Sequence, residues 1–151
     1  MDGKLLLSQA KALLENERNL IPNLANLSAL IWERMDRLNW AGFYLVKGEE
    51  LLLGPFQGKP ACIHIPLGKG VCGTAAARKE TVIVPDVHKF PDHIACDSAS
   101  CSEIVVPLLD EKNEVLGVLD IDSPFPARFC EEDARILEQL ARLIIAGCDW
   151  T

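Results

Sequence analysis

The chain has 151 residues, 49 % of them hydrophobic and 25 % charged, with a formal net charge of -7. That length allows one substantial core, and the negative balance disfavours nucleic acid and anionic lipid as partners. No stretch reaches the apolar length needed to span a bilayer, and the opening MDGKLLLSQAKALL has no basic leader beyond Lys4 and no cleavage site. We therefore expect one cytoplasmic domain over 1–151, with N-terminal helices in 1–38, a sheet and site-bearing loops in 39–122, and a C-terminal helix in 130–149. Thiols are kept reduced there, so the six cysteines are not read as a permanent disulfide framework. They remain metal ligands, redox groups or inert core residues.

Helical spacing runs from Leu5 to Leu14 and again through Leu20, Leu24, Leu27, Ile31, Met35 and Leu38. Asn16 to Asn19 and Pro22 place the break between the two helices. They cover a sheet, with a homodimer face as the alternative. Trp40 to Val46 alternates as a strand, turns at Lys47 to Glu50, and returns over Leu51 to Gly54. Trp40 and Tyr44 share a face with Gly42 between them, which reads either as core packing or as a slot between aromatic walls for a thin ligand. Ala61 to Pro66 forms a short strand. Gly68-Lys69-Gly70-Val71-Cys72-Gly73 then matches G-x-G-x-x-G literally, but no βαβ unit follows, so a dinucleotide site is rejected. The glycines instead imply a tight turn into the helix former run Thr74 to Lys79, placing Cys72 at a helix N-terminus where the dipole favours thiolate.

Thr81 to Val84 is a short strand. The long connection Pro85 to Ser102, with His88, His93, Cys96 and Cys101, reads as a functional loop. Glu103 to Leu109 and Glu114 to Asp122 form a hairpin whose simplest register sets Glu103 opposite Asp120, with Asp122 on the same face. Three carboxyl groups converging in an apolar run point to a cation or a wet face, and their crowding raises at least one pKa towards neutrality. In the final helix, from about Glu131, Cys148 falls on the apolar stripe; Cys130 sits at its cap, and both read as structural.

The segments Trp40-Ala41-Gly42-Phe43-Tyr44-Leu45, Gly54-Pro55-Phe56-Gln57-Gly58-Lys59-Pro60-Ala61-Cys62, Gly68-Lys69-Gly70-Val71-Cys72-Gly73-Thr74-Ala75, Val84-Pro85-Asp86-Val87, His93-Ile94-Ala95-Cys96-Asp97 and Gly117-Val118-Leu119-Asp120-Ile121-Asp122-Ser123 resemble the free methionine-(R)-sulfoxide reductases. The resemblance runs from about Leu5 to the final helix. It implies an α+β GAF fold, with a central antiparallel sheet, the N- and C-terminal helices on one face and a loop-covered pocket on the other. It also implies redox roles for Cys62, Cys72 and Cys96, with Cys96 the nucleophile and Cys62 ranked ahead of Cys72 as its resolving partner. Trp40 and Tyr44 match the aromatic pocket residues, and Glu103, Asp120 and Asp122 match the acidic ones. Asp92 stands where the family usually has glycine, and Cys101 is an additional thiol.

The implied chemistry is reduction of free L-methionine-(R)-sulfoxide to methionine through a sulfenic acid on Cys96, followed by a disulfide. A carboxyl of the cluster supplies the proton, and an external dithiol, expected to be thioredoxin, opens the disulfide. No metal, flavin or nucleotide cofactor is needed. Two rivals stand beside this reading: a zinc site of His88, His93, Cys96 and Cys101, and a non-catalytic GAF sensor of a small ligand.

Overall fold

The computed structural model describes residues 1–93 and 97–151. Helix α1 (Gly3–Leu14) opens on Asp2, whose Oδ1 accepts the Leu5 N–H at 3.0 Å and satisfies a donor that the first turn leaves unpaired. It buries Leu6, Ala10 and Leu14 at four-residue spacing. Helix α2 (Leu20–Arg34) carries Pro22 in its first turn, where an N–H is dispensable. The apolar spacing of α2 continues to Leu38, but the helix stops at Arg34: Met35 is extended and Arg37 has a positive φ. Met35 is still buried and Leu38 still packs on the core, so that spacing serves burial in a turn.

Among the described residues six strands follow, β1 (Trp40–Lys47), β2 (Glu50–Gly58), β3 (His64–Pro66), β4 (Val82–Val84), β5 (Ser102–Leu109) and β6 (Val115–Ser123), forming one sheet of order β3-β2-β1-β6-β5-β4. All its neighbours are antiparallel. Strand β2 runs past the proline at which the sequence suggested it would end. Pro55 lies at the irregularity between the Gly42 and Tyr44 pairings, where a missing N–H does not interrupt a regular ladder. Helices α3 (Gly70–Arg78) and α4 (Glu131–Gly147) and a 3-10 turn at Val87–Lys89 complete the elements among the described residues.

Strand alternation divides the interior between the two faces of the sheet. Ala41, Phe43, Ile104, Val106, Leu108, Leu119 and Ile121 pack with α1, α2 and α4. Trp40, Tyr44, Val105 and Val118 face the other way, against Val71, Cys72, Ala75 and Ala76 of α3. Each fully buried Leu, Ile or Phe on these faces contributes about 1.5–3 kcal/mol. Among the described residues no helix is long and apolar enough to cross a membrane.

The β5–β6 register departs from the simplest hairpin. Glu103 pairs with Asp122, and Asp120 pairs with Val105 rather than with Glu103. Two features cause the shift: the turn closes with Asp110 N–H to Glu114 O at 2.9 Å around Asn113 at φ 61, and the ladder skips between Leu108 and Leu109. A displacement of two residues leaves every side chain on its original face. Glu103, Asp120 and Asp122 therefore remain together, on the side of Trp40 and Tyr44.

Candidate active site

Helix α3 begins earlier than helix propensity alone suggests, because glycines fold the chain sharply out of β3. Gly68 N–H reaches Gly73 O at 2.8 Å, and Gly70 takes φ 63. A Cβ on Gly73 would lie 2.5 Å from the Pro66 carbonyl oxygen, so only glycine permits this approach. The turn delivers Cys72 to the centre of the sheet face, where its Sγ lies 3.9 Å from Glu103 Oε2. Cys72, Glu103 and Asp120 are all buried.

Burial pushes the Glu103 carboxyl well above its usual range, and the charges of Asp120 and Asp122 push the same way. Asp122 is raised well above its own by burial and by Asp120. Asp120 is also raised by burial, but hydrogen bonds from Glu103, Cys72 and Asp122 and the attraction of His93 act against it. All three carboxyl groups are thus raised, and the opposing hydrogen bonds to Asp120 make the trio titrate as a coupled set. Asp120 Oδ1 and Asp122 Oδ1 are enclosed without a hydrogen bond from any described N–H or hydroxyl group. A protonated neighbouring carboxyl, an ordered water or a cationic group from outside can satisfy them.

The expectation of a thiolate at Cys72 is corrected by this environment. Although Cys72 lies in the first turn of α3, burial and the charges of Asp120, Glu103 and Asp122 push its thiol well up. It is a protonated thiol that donates towards Glu103.

The aromatic pair differs from an open slot. The Trp40 and Tyr44 rings are stacked with centroids 5.8 Å apart, and Phe56 stacks on Trp40 at 5.0 Å. Gly42 makes this possible, since a Cβ there would sit 2.2 Å from Phe56 Cβ. No ligand fits between rings so close; it meets them from the cavity side. Both rings also act as tethers: Trp40 Nε1 donates to Lys59 O at 3.1 Å, and the Tyr44 hydroxyl donates to Cys62 O at 2.8 Å. Burial and the nearby carboxyl groups raise the Tyr44 pKa, which keeps that donor protonated. The segment carrying Cys62 is thus pinned to the aromatic wall. Cys62 is half-buried and disulfide-bonded, whereas Cys72, Cys101, Cys130 and Cys148 are free thiols.

These groups surround one cavity, lined by Trp40, Tyr44, Cys72, Glu103, Asp120 and Asp122 together with His93, Asp97 and Ser100. Cys96 lies outside the described residues. Asn39, which the sequence did not single out, holds the chain beyond it: its Nδ2 donates to Asp97 Oδ2 at 3.0 Å and to Ser100 Oγ at 2.9 Å. An amide immediately before β1 was the available signal. Of the alternative zinc set, His88 and His93 have ring centroids 6.5 Å apart, and burial and His88 lower the His93 pKa. Among the described residues the group whose ligand atoms come within metal-binding reach is a different one, Cys72, Glu103 and Asp120. Asp92, in the glycine position noted above, has φ 58 and so bears the left-handed conformation that glycine would adopt at less cost. Cys130 caps α4 in a reciprocal pair with Asp133, and Cys148 accepts a hydrogen bond from Asn23 in the core.

An antiparallel sheet with helices α1, α2 and α4 on one side and a helix-and-loop-covered cavity on the other defines a GAF domain, and the GAF domain family model matches residues 11–146. The free methionine-R-sulfoxide reductase of Escherichia coli (strain K12) is 56 % identical over 129 residues, 85 % of this chain and 78 % of that protein. The enzyme of the same description from Saccharomyces cerevisiae is 51 % identical over 95 % of this chain and 83 % of its own. The crystal structure of free methionine-R-sulfoxide reductase from Neisseria meningitidis, in complex with its substrate, superposes with a TM-score of 0.93 at 46 % identity, over 96 % of this chain and 87 % of that one. The chain belongs to the free methionine-R-sulfoxide reductase family of GAF domain proteins.

Proposed function

We propose that this chain reduces free L-methionine-(R)-sulfoxide to methionine, and that the buried carboxyl trio beside Trp40 and Tyr44 is its substrate and proton-donor site. The observation that carries the reading is the pair of enclosed, unsatisfied oxygens on Asp120 and Asp122 in a cavity that Glu103 also lines, its carboxyl pKa raised by burial. A free amino acid brings an ammonium group that satisfies such oxygens, and its sulfoxide needs a proton as the S–O bond breaks.

In the first step the Cys96 thiolate attacks the sulfoxide sulfur while a carboxyl gives its proton to the oxygen; the S–O bond breaks and the hydroxyl passes to the Cys96 sulfur. Methionine leaves, and Cys96 becomes a sulfenic acid. The Cys62 thiol then condenses with it, releasing water and forming a disulfide. Its bonded state in the structure favours Cys62 over Cys72, whose thiol is free, buried and raised in pKa. A dithiol protein of the thioredoxin type reduces the bridge by exchange at an accessible sulfur. The cytoplasm, where such dithiols are maintained, is the compartment that suits this cycle. The residues present account for each step without a metal, flavin or nucleotide.

Substrate form is the test. Acylating the amine removes the charge that offsets the carboxylates, and a peptide extension collides with the enclosing walls. The mirror-image sulfoxide cannot present oxygen to the acid while its methyl group meets the aromatic wall. A side-by-side assay with a dithiol reductant should give turnover of the free (R) compound and little with the (S) epimer, the N-acetylated or the peptide-bound forms. Equal turnover of the N-acetylated compound would remove the charge-matched pocket.

A further inference from the structure

The Cys72 thiol is left over by this mechanism, yet from its apolar surroundings on α3 it reaches the carboxyl cluster. Its Sγ, one Glu103 oxygen and one Asp120 oxygen all lie within 4.8 Å of one another, and Cys72 Sγ to Glu103 Oε2 is 3.9 Å. Tetrahedral zinc bonded to sulfur at about 2.3 Å and to oxygen at about 2.0 Å separates S from O by roughly 3.5 Å and O from O by roughly 3.3 Å. Small side-chain adjustments close that difference. Independently of the cluster itself, Asp120 is only 5 % exposed, and its Oδ1 lacks a partner while lining the cavity. His93 lines the same cavity but is not part of the group whose ligand atoms converge, so the fourth position is one for a water molecule.

We infer that Cys72, Glu103 and Asp120 form a binding site for a thiophilic divalent cation, with zinc as the ligand. The mixed thiolate and carboxylate set suits zinc and its analogue cobalt(II); magnesium and calcium require all-oxygen shells. On binding, the Cys72 proton passes to solvent and the metal takes its place on sulfur. A cation held there occupies carboxyl groups assigned above to the substrate, so the site is inhibitory rather than catalytic. It shares no cysteine with the loop set of His88, His93, Cys96 and Cys101.

The experiment is a cobalt(II) titration of the intact chain without thiol reductant, so that the Cys62 disulfide stays closed, followed by zinc competition. The expected result is one equivalent of cobalt with thiolate-to-metal charge-transfer absorption, displaced by zinc. Cys72→Ser should abolish that absorption and weaken binding at least about a hundredfold, beyond what loss of an outer-shell partner alone commonly costs. Asp120→Asn should weaken binding at least about tenfold while keeping the absorption, and Cys101→Ser should change neither. Absence of the absorption from the wild type, or its persistence in Cys72→Ser, overturns the site. Because the wild-type spectrum itself requires a thiolate ligand, the test survives a variant that folds poorly. No turnover enters the readout, so this result and the fate of the reductase reading are separable.

Discussion

At Cys72 two effects of opposite sign meet, and their sizes decide the outcome. The N-terminus of α3 favours a thiolate by about 0.3–1 kcal/mol, less than about one pKa unit. Full burial moves a thiol up by as much as about 3–5 units, and the three carboxyl groups push the same way. Timed iodoacetamide labelling at neutral pH should therefore modify the exposed Cys130 well before Cys72; equal rates would show the thiol to be activated after all. Glu103 has a folded pKa raised well above its ordinary 4.5 by burial and by its acidic neighbours. The folded state then binds more protons than the unfolded chain, so the stability linked to Glu103 is complete below the ordinary value and is lost as pH rises through the raised one. Glu103→Gln cannot ionise. It should melt above wild type at neutral and alkaline pH, converge with it below pH 4.5, and lose at least about tenfold in activity if the carboxyl supplies the proton. Melting curves that stay parallel across pH would remove the buried-acid interpretation.

At the scale of elements, the pairing of β1 with β2 positions the site, and Gly42 is the point on which it turns. A methyl group there would lie 2.6 Å from Phe56 Cα and 2.8 Å from Pro55 O, contacts with backbone that no rotamer change relieves. Gly42→Ala should cost about 3 kcal/mol, the upper end of overpacking, measured by urea unfolding, and should displace Trp40 from Phe56. A loss within experimental error would mean that the two strands are not locked as described. The face shared by Trp40, Tyr44, Glu103, Asp120 and Asp122 was legible in the sequence because strand alternation survives a register error of two residues, which is the error the β5–β6 turn and skip introduce. The tethers from Trp40 to Lys59 and from Tyr44 to Cys62 were not legible. They depend on β2 running through Pro55 to Gly58, and proline in a short apolar run reads as a stop until the bulge opposite it is seen. Helix α3 likewise starts on glycines that propensity counts against a helix, because a close approach to Pro66 matters more there than local preference.

Across the whole molecule, the sheet separates two interiors of different chemistry. The side under α1, α2 and α4 is a continuous apolar core, while the side under α3 surrounds three acids, a thiol and an aromatic wall. One face supplies the stability that the other, with its buried unsatisfied oxygens, draws down. Periodicity made this division readable, but the pinning of Asp97 and Ser100 by Asn39 arises between residues far apart in the chain, and no local pattern announces it. The central claim is that the cavity couples sulfoxide reduction to a bridge between Cys62 and Cys96. Its most direct test is a single turnover: fully reduced protein is mixed with excess free L-methionine-(R)-sulfoxide, quenched and alkylated, methionine is quantified, and the disulfide is mapped by peptide mass. One equivalent of methionine per chain with a Cys62–Cys96 bridge is the expected result, together with no methionine from Cys96→Ser. Methionine formed by Cys96→Ser at the wild-type rate, or a bridge confined to Cys130 or Cys148, would contradict it.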